Sequence, residues 1–339
     1  MKFRRLLRLN PSCLVVLVVL LSLSIPVMAQ GDSGPSPIGD MGIRSVEVHE
    51  FASYANALVT SLMFSPDSLS LACGLDDGRV QVLSVIDGTV LRELASHDEA
   101  VTSVSFSPDG RWLASSGRDG WVHVTDLLDE TDSFALLHQG VVHEVEFSPQ
   151  GTYLGTVGES RMIRLWDVDT WDELDSIEGH TDTVFALAFS PAEDWIVTGA
   201  GGSDPSIRAW NLATGAELQN DLYEGTVSDI EYSPRSSDRH VSIAGSQRMI
   251  RLWEVDRGSM LHNVGRFQGA VSDVAYSSAG NTLVAVSEDH TLMFTTMPAW
   301  TEKRRFTFDE PLEAVAFSAL RQYIACSDGA GYVYLLYTP

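Results

Sequence analysis

Apolar and polar residues alternate in short runs along most of the chain, as in Val145-Glu146-Phe147 and Ile163-Arg164-Leu165-Trp166. This period of two is the mark of strands that bury one face. Helical periodicity of useful length is missing after the first thirty residues. Turn residues punctuate the runs. Ser107-Pro108-Asp109-Gly110 supplies a turn in which proline presets φ and glycine accepts positive φ, and Arg118-Asp119-Gly120 makes a second corner. Asp87-Gly88, Thr214-Gly215 and Arg257-Gly258 close hairpins into further short strands such as Leu91 to Leu94. The whole pattern recurs. An aromatic residue followed by serine stands at Phe64, Phe106, Phe147, Phe189, Tyr232, Tyr276 and Phe317, in steps of 41 to 44 residues, and five of the seven copies continue with proline.

Each unit therefore reads as four short strands. One sheet of that size cannot bury both faces alone, whereas sheets stacked around an axis cover one another and expose only short edges. The expected fold is all-β: a seven-bladed β-propeller of four-stranded antiparallel blades spanning residues 43–339. The last repeat is cut short, because Tyr332 to Leu336 aligns with a third strand and no fourth follows. Ser45 to Phe51 stands where a fourth strand would precede the first repeat. This N-terminal strand is predicted to complete the last blade.

The third strands carry a further signature. Trp166-Asp167 has the variants Trp210-Asn211 and Trp253-Glu254, and Gly179-His180 opens a repeat. Over residues 43–339 the chain resembles the WD40-repeat family. That resemblance implies an interaction scaffold and a buried network of His, Ser or Thr, Asp and Trp. His180, Thr198, Asp204 and Trp210 supply all four in the fourth repeat. The second repeat keeps His97, Ser115 and Asp119 but has Thr125 in place of the tryptophan, while Ser160 and Gln247 replace the aspartate in the third and fifth. His, Asp and Ser together invite comparison with a catalytic triad. A nucleophile must be reachable, however, and the neighbouring blade is expected to wall these groups in.

The first 29 residues read as a signal peptide. Lys2, Arg4, Arg5 and Arg8 precede an apolar run from Leu14 to Ile25, and Val27-Met28-Ala29 offers a cleavage site. Residues 30–42 read as a flexible leader. The expected location is secreted or periplasmic, with no membrane span in the mature chain. In such a compartment Cys73 and Cys326 invite a disulfide. The two occupy equivalent slots in neighbouring blades, about 10 Å apart, and are expected to stay buried free thiols. The absence of an Asn-x-Ser/Thr acceptor favours a bacterial source.

The formal charge is −24. It makes nucleic acid a poor partner and favours solubility or a cationic partner. Motifs for zinc, phosphate or nucleophilic chemistry are absent, and the nine histidines are scattered, His138 and His143 being the one close pair. The expectation is no catalytic residue, no cofactor and no metal: a non-enzymatic scaffold, acting as a monomer, that binds a protein or peptide. Its docking surface is placed at the corners between second and third strands, where Arg79, Arg118, Arg161 and Arg248 stand near Trp121 and Tyr332. Arginine and large aromatics anchor interfaces, so a carboxylate-bearing partner is one reading. The alternatives are an exported propeller enzyme or quinone-cofactor dehydrogenase, and a carbohydrate-binding propeller using Trp121, Trp171 and Trp300.

Overall fold

The computed structural model describes residues 28–29 and 47–337, except 55, 95–96, 130–132, 236 and 321–322. The predicted signal segment up to residue 27, the leader 30–42 and residues 45–46 of the predicted closing strand lie outside the described residues. Seven antiparallel sheets form the blades of a propeller, and no helix occurs among the described residues. The innermost strands of blades 1 to 7 are Val59–Phe64, Val101–Phe106, Val142–Phe147, Val184–Phe189, Val227–Tyr232, Val271–Tyr276 and Leu312–Phe317. Each touches the next, and the seventh touches the first, which closes a ring around an axis.

The recurring serine explains why the blades other than the fifth begin the same way. Its hydroxyl accepts the backbone N–H five residues on, at 2.9 Å for Ser65 and Ser70, 2.8 Å for Ser107 and Trp112, and 3.0 Å for Ser190 and Trp195. In the first two blades it also donates to the aspartate two residues on, Asp67 or Asp109, at 2.5 Å. One side chain thus satisfies the turn from both sides. Blade faces are buried pairwise. A separate cluster of buried apolar side chains fills each gap between neighbours, for example Val197, Ile207, Val227 and Trp253 between blades 4 and 5.

Closure follows the sequence reading. Strand Glu47–Ser53 pairs antiparallel with Tyr332–Tyr337, from Glu47 opposite Tyr337 to Ser53 opposite Tyr332, with a bulge between Glu50 and Ala52. Glu47–Ser53 is thereby the outer strand of blade 7. Gly331 stands beside this seam at φ +85°, and a Cβ there would lie 2.3 Å from the Ala57 carbonyl oxygen, so the corner requires glycine. Met28 and Ala29 pair with Thr307 and Phe306 as a short fifth strand on blade 6.

Cys73 and Cys326 are buried free thiols. Cys73 belongs to the cluster between blades 7 and 1, Cys326 to the cluster between blades 6 and 7, so the sheet of blade 7 stands between them. Burial pushes the Cys73 thiol up to about 12 and the Cys326 thiol higher still, which keeps both protonated and unreactive.

Candidate functional site

The buried network of blade 4 is assembled across the sheet. His180 lies 3.0 Å from Asp204 through Nδ1 and 2.8 Å from Thr198 Oγ1 through Nε2. Trp210 Nε1 donates to the same Thr198 oxygen at 2.8 Å. Arg208 binds both oxygens of Asp204, at 3.1 and 3.2 Å. Hydrogen bonds from Ser206, Thr181, His180 and Arg208 outweigh the cost of burial and hold the Asp204 carboxyl far below its usual range. Every member is occupied by another. The arrangement pins a corner to its blade and leaves no hydroxyl to attack a substrate.

The axis holds a constellation that no motif signalled. Glu144 and Glu146 accept the backbone N–H groups of Leu187 and Phe189 at 2.6 and 3.3 Å. Asp229, Glu231 and Asp273 do the same for Val274, Tyr276 and Val315, at 3.2, 2.5 and 2.7 Å. In blades 1 and 2, Ser61 and Ser105 play this part toward Val104 and Phe147. The reason is geometric. The innermost strand has one unpaired edge, whose N–H groups need acceptors, and the preceding blade supplies them. The five carboxylates line a cavity of about 580 Å³ in which no lysine or arginine appears among the described residues. Burial, reinforced by mutual repulsion, pushes Glu146 up to about 8 and raises Glu144, Glu231 and Asp273 well above the usual carboxylate range. Asp229, raised by burial, shares a hydrogen bond with Asp273. A propeller enzyme would need acids converging on the axis; these acids do converge there, but as acceptors for the next blade's backbone.

The channel mouth departs from this repetitive plan. In blades 1 to 6 the innermost strand carries a register shift around its second residue, and such bulges re-aim a side chain. In blades 1, 2 and 6 that residue is a hydroxyl that latches the next blade: Thr60 donates to Val101 O at 2.7 Å, Thr102 to Val142 O at 2.6 Å and Ser272 to Leu312 O at 2.8 Å. In blades 3 and 4 the position holds His143 and Phe185 instead, with ring centroids 4.6 Å apart. Burial lowers the His143 imidazole, and the Arg118 guanidinium adds to the effect. Sequence reasoning passed over this pair; the signal was two large residues in a column of small hydroxyls.

The six corner residues singled out from the sequence divide into two groups. Arg118, Arg161 and Arg248 are exposed, and among the described residues their guanidinium groups form no ion pair or hydrogen bond. Arg161 and Arg248 adopt φ of +66° and +59°, in the corner slot filled by Gly78, Gly120 and Gly331 elsewhere. Arg79 is committed to Asp77 at 2.7 Å and stacks over Tyr54. Trp121 and Tyr332 are half-buried, and Tyr332 packs on the core between blades 6 and 7. The tryptophans of the carbohydrate reading are also engaged. Trp171 stacks on Phe134 of blade 2 with centroids 5.6 Å apart, and Trp300 meets His240 of blade 5 at 5.1 Å. Both serve packing between blades.

Comparison with known proteins agrees with this architecture. The model of the "WD domain, G-beta repeat" matches residues 45–83, 88–126, 135–167, 171–211 and 261–294, more than half of the chain. Each match begins on or near the outer strand of one blade and ends on the third strand of the next, so the sequence repeat straddles two blades. Among curated proteins, meiotic fizzy-related protein 1 of Schizosaccharomyces pombe is 24% identical over 74% of this chain and 59% of its own length. Cell division cycle 20.4, cofactor of APC complex, of Arabidopsis thaliana is 27% identical over 78% of this chain and 59% of its own. The anaphase-promoting complex subunit cdc20 of Dictyostelium discoideum is 28% identical over 40% of this chain and 28% of its own. The chain thus spans between about a quarter and three fifths of the length of these relatives. With seven blades, a ring closed by strand Glu47–Ser53 and the repeat signature in register, the chain belongs to the WD40 repeat family.

Proposed function

We propose that this propeller is a non-enzymatic scaffold that docks a carboxylate-bearing protein or peptide on the face around the channel mouth of blades 2 to 5. One observation carries the reading. Arg118, Arg161 and Arg248 hold exposed guanidinium groups that form no ion pair or hydrogen bond among the described residues, on a protein of net charge −24. Guanidinium forks match carboxylates bidentately, and the His143–Phe185 pair adds an aromatic anchor beside Arg118. The relatives' names, a subunit and a cofactor of the anaphase-promoting complex, support a role in protein assembly rather than chemistry. Peptides bearing Asp or Glu pairs should bind the full chain in fluorescence anisotropy. The triple variant Arg118→Ala, Arg161→Ala, Arg248→Ala should weaken that binding by at least tenfold. Unchanged affinity would remove this face from consideration.

The same reading puts the scaffold outside the cytoplasmic membrane, secreted or periplasmic, on the strength of Lys2 to Arg8, the apolar run and Val27-Met28-Ala29. The source inferred from the acceptor-free sequence is bacterial. N-terminal sequencing of chain recovered from medium or periplasm should begin at Gln30; recovery of intact chain in the cytoplasm alone would refute export.

A further inference from the structure

The corner of blade 2 differs from that of blade 4 in a way that changes what it can bind. In blade 4, Thr198 pairs in register with Arg208, whose guanidinium neutralises Asp204. In blade 2, Ser115 pairs in the same register with His123. An imidazole therefore stands where blade 4 has its cation, and among the described residues no guanidinium binds Asp119. His97 Nδ1 lies 3.0 Å from Asp119, and the His97 and His123 rings meet edge to face at 4.6 Å. Donor atoms of His97, Asp119 and His123 all lie within 4.8 Å of one another.

We infer that this corner is a divalent transition-metal site, best suited to zinc, with His97 Nδ1, the Asp119 carboxylate and His123 as ligands. Two nitrogens and one carboxylate are a borderline-soft set of the kind zinc takes, with a fourth position left for water. Zinc bonds of about 2.0–2.1 Å set ligand atoms about 3.4 Å apart. His97 Nδ1 and Asp119, 3.0 Å apart, need to part by about 0.4 Å, and the half-buried His123 ring has to swing inward. Zinc would sit between His97 Nδ1 and Asp119, with the imidazole proton on Nε2.

The missing tryptophan supplies the second argument. In blade 4, Thr198 accepts the Trp210 N–H and gives its own proton to His180 Nε2, which leaves the His180 proton on Nδ1, facing Asp204. Thr125 holds that tryptophan slot in blade 2 and donates no such bond. Ser115 Oγ, 2.9 Å from His97 Nε2, is then available to accept Nε2–H. That tautomer frees the Nδ1 lone pair for a metal, with Ser115 fixing the ring from behind as outer partners of metal-bound histidines do. Asp119 is meanwhile held in place by the backbone N–H groups of Asp98 and Trp121, at 3.0 Å each.

Chelator-treated full chain titrated with Co²⁺ should take up one ion with the visible bands of tetrahedral coordination, and Zn²⁺ should displace it. Affinity should fall as pH drops below the histidine range, by up to about a hundredfold per pH unit once both imidazoles are protonated, because binding then releases two protons. His123→Arg reinstates the blade 4 arrangement. It should melt at the temperature of the metal-free parent and lose at least 100-fold in Zn²⁺ affinity, with His123→Ala as the companion should the arginine misfold. Failure of the parent to bind one equivalent, or undiminished binding by the folded variants, would overturn the site.

Discussion

At the residue scale, the same polar side chains do opposite things according to what faces them. The Trp210 indole is 2% exposed and donates to Thr198 at 2.8 Å. Trp210→Phe removes the donor and leaves a void, and should cost about 2 kcal/mol in urea unfolding. The channel carboxylates act the other way. Their folded pKa values are raised by burial, so their contribution is full below the unfolded carboxylate value and is lost as pH rises through the folded one, about 8 for Glu146. The buried histidines oppose this on the acid side. His138 is lowered to about 4 by burial, so its contribution is full above about 6.5 and disappears as pH falls. Above the histidine range the carboxylates act alone. The urea midpoint should fall between pH 7 and pH 8.5, and Glu146→Gln should flatten that fall; an equal slope in the variant would show that the channel acids do not govern it.

At the element scale, the outer strand of blade 7 matters more than any other, because it pairs a segment from before the first blade into the sheet of the last. Its six register pairs with Tyr332–Tyr337 hold the ring shut. At a net of about 1 kcal/mol per ladder bond, deleting residues 47–53 should cost on the order of 5 kcal/mol. It should also replace one cooperative transition with a broader one in calorimetry, since an open array unfolds repeat by repeat. A deletion that leaves the melt sharp and unshifted would mean the ring closes by inner-strand contacts alone. The offset between sequence repeat and blade has the same physical sense. Each repeat spans two sheets, so the covalent chain ties every blade to the next.

For the whole molecule, charge and docking face pull in different directions. If the proposed docking face is right, a body of −24 repels an acidic peptide at long range, while Arg118, Arg161 and Arg248, exposed and without an ion pair or hydrogen bond among the described residues, attract it at contact. Salt screens the first over a Debye length of about 30 Å at 0.01 M and about 8 Å at 0.15 M. Raising salt across that range should therefore speed association of the acidic peptide and also speed its dissociation, as contact pairs weaken. Stopped-flow rates that both fall with salt would contradict a locally basic face on an acidic body.

The alternation of residues, the serine-centred turns and the step of 41 to 44 residues were enough to specify strands, blades and closure, because those features depend on local turn chemistry and on the need of each small sheet to cover its faces. The blade 4 network was also legible, since its four residues recur at fixed positions in a repeat. The axis was not. Glu144, Glu146, Asp229, Glu231 and Asp273 sit at solvent-like positions of alternating strands, and only closing the ring turns those positions inward toward one another. His97 and His123 were likewise two of nine scattered histidines until strand register put them 4.6 Å apart. Local patterning decided which strands form and how they turn. Tertiary closure decided which charges meet, because only a completed ring brings together groups 43 to 268 residues apart.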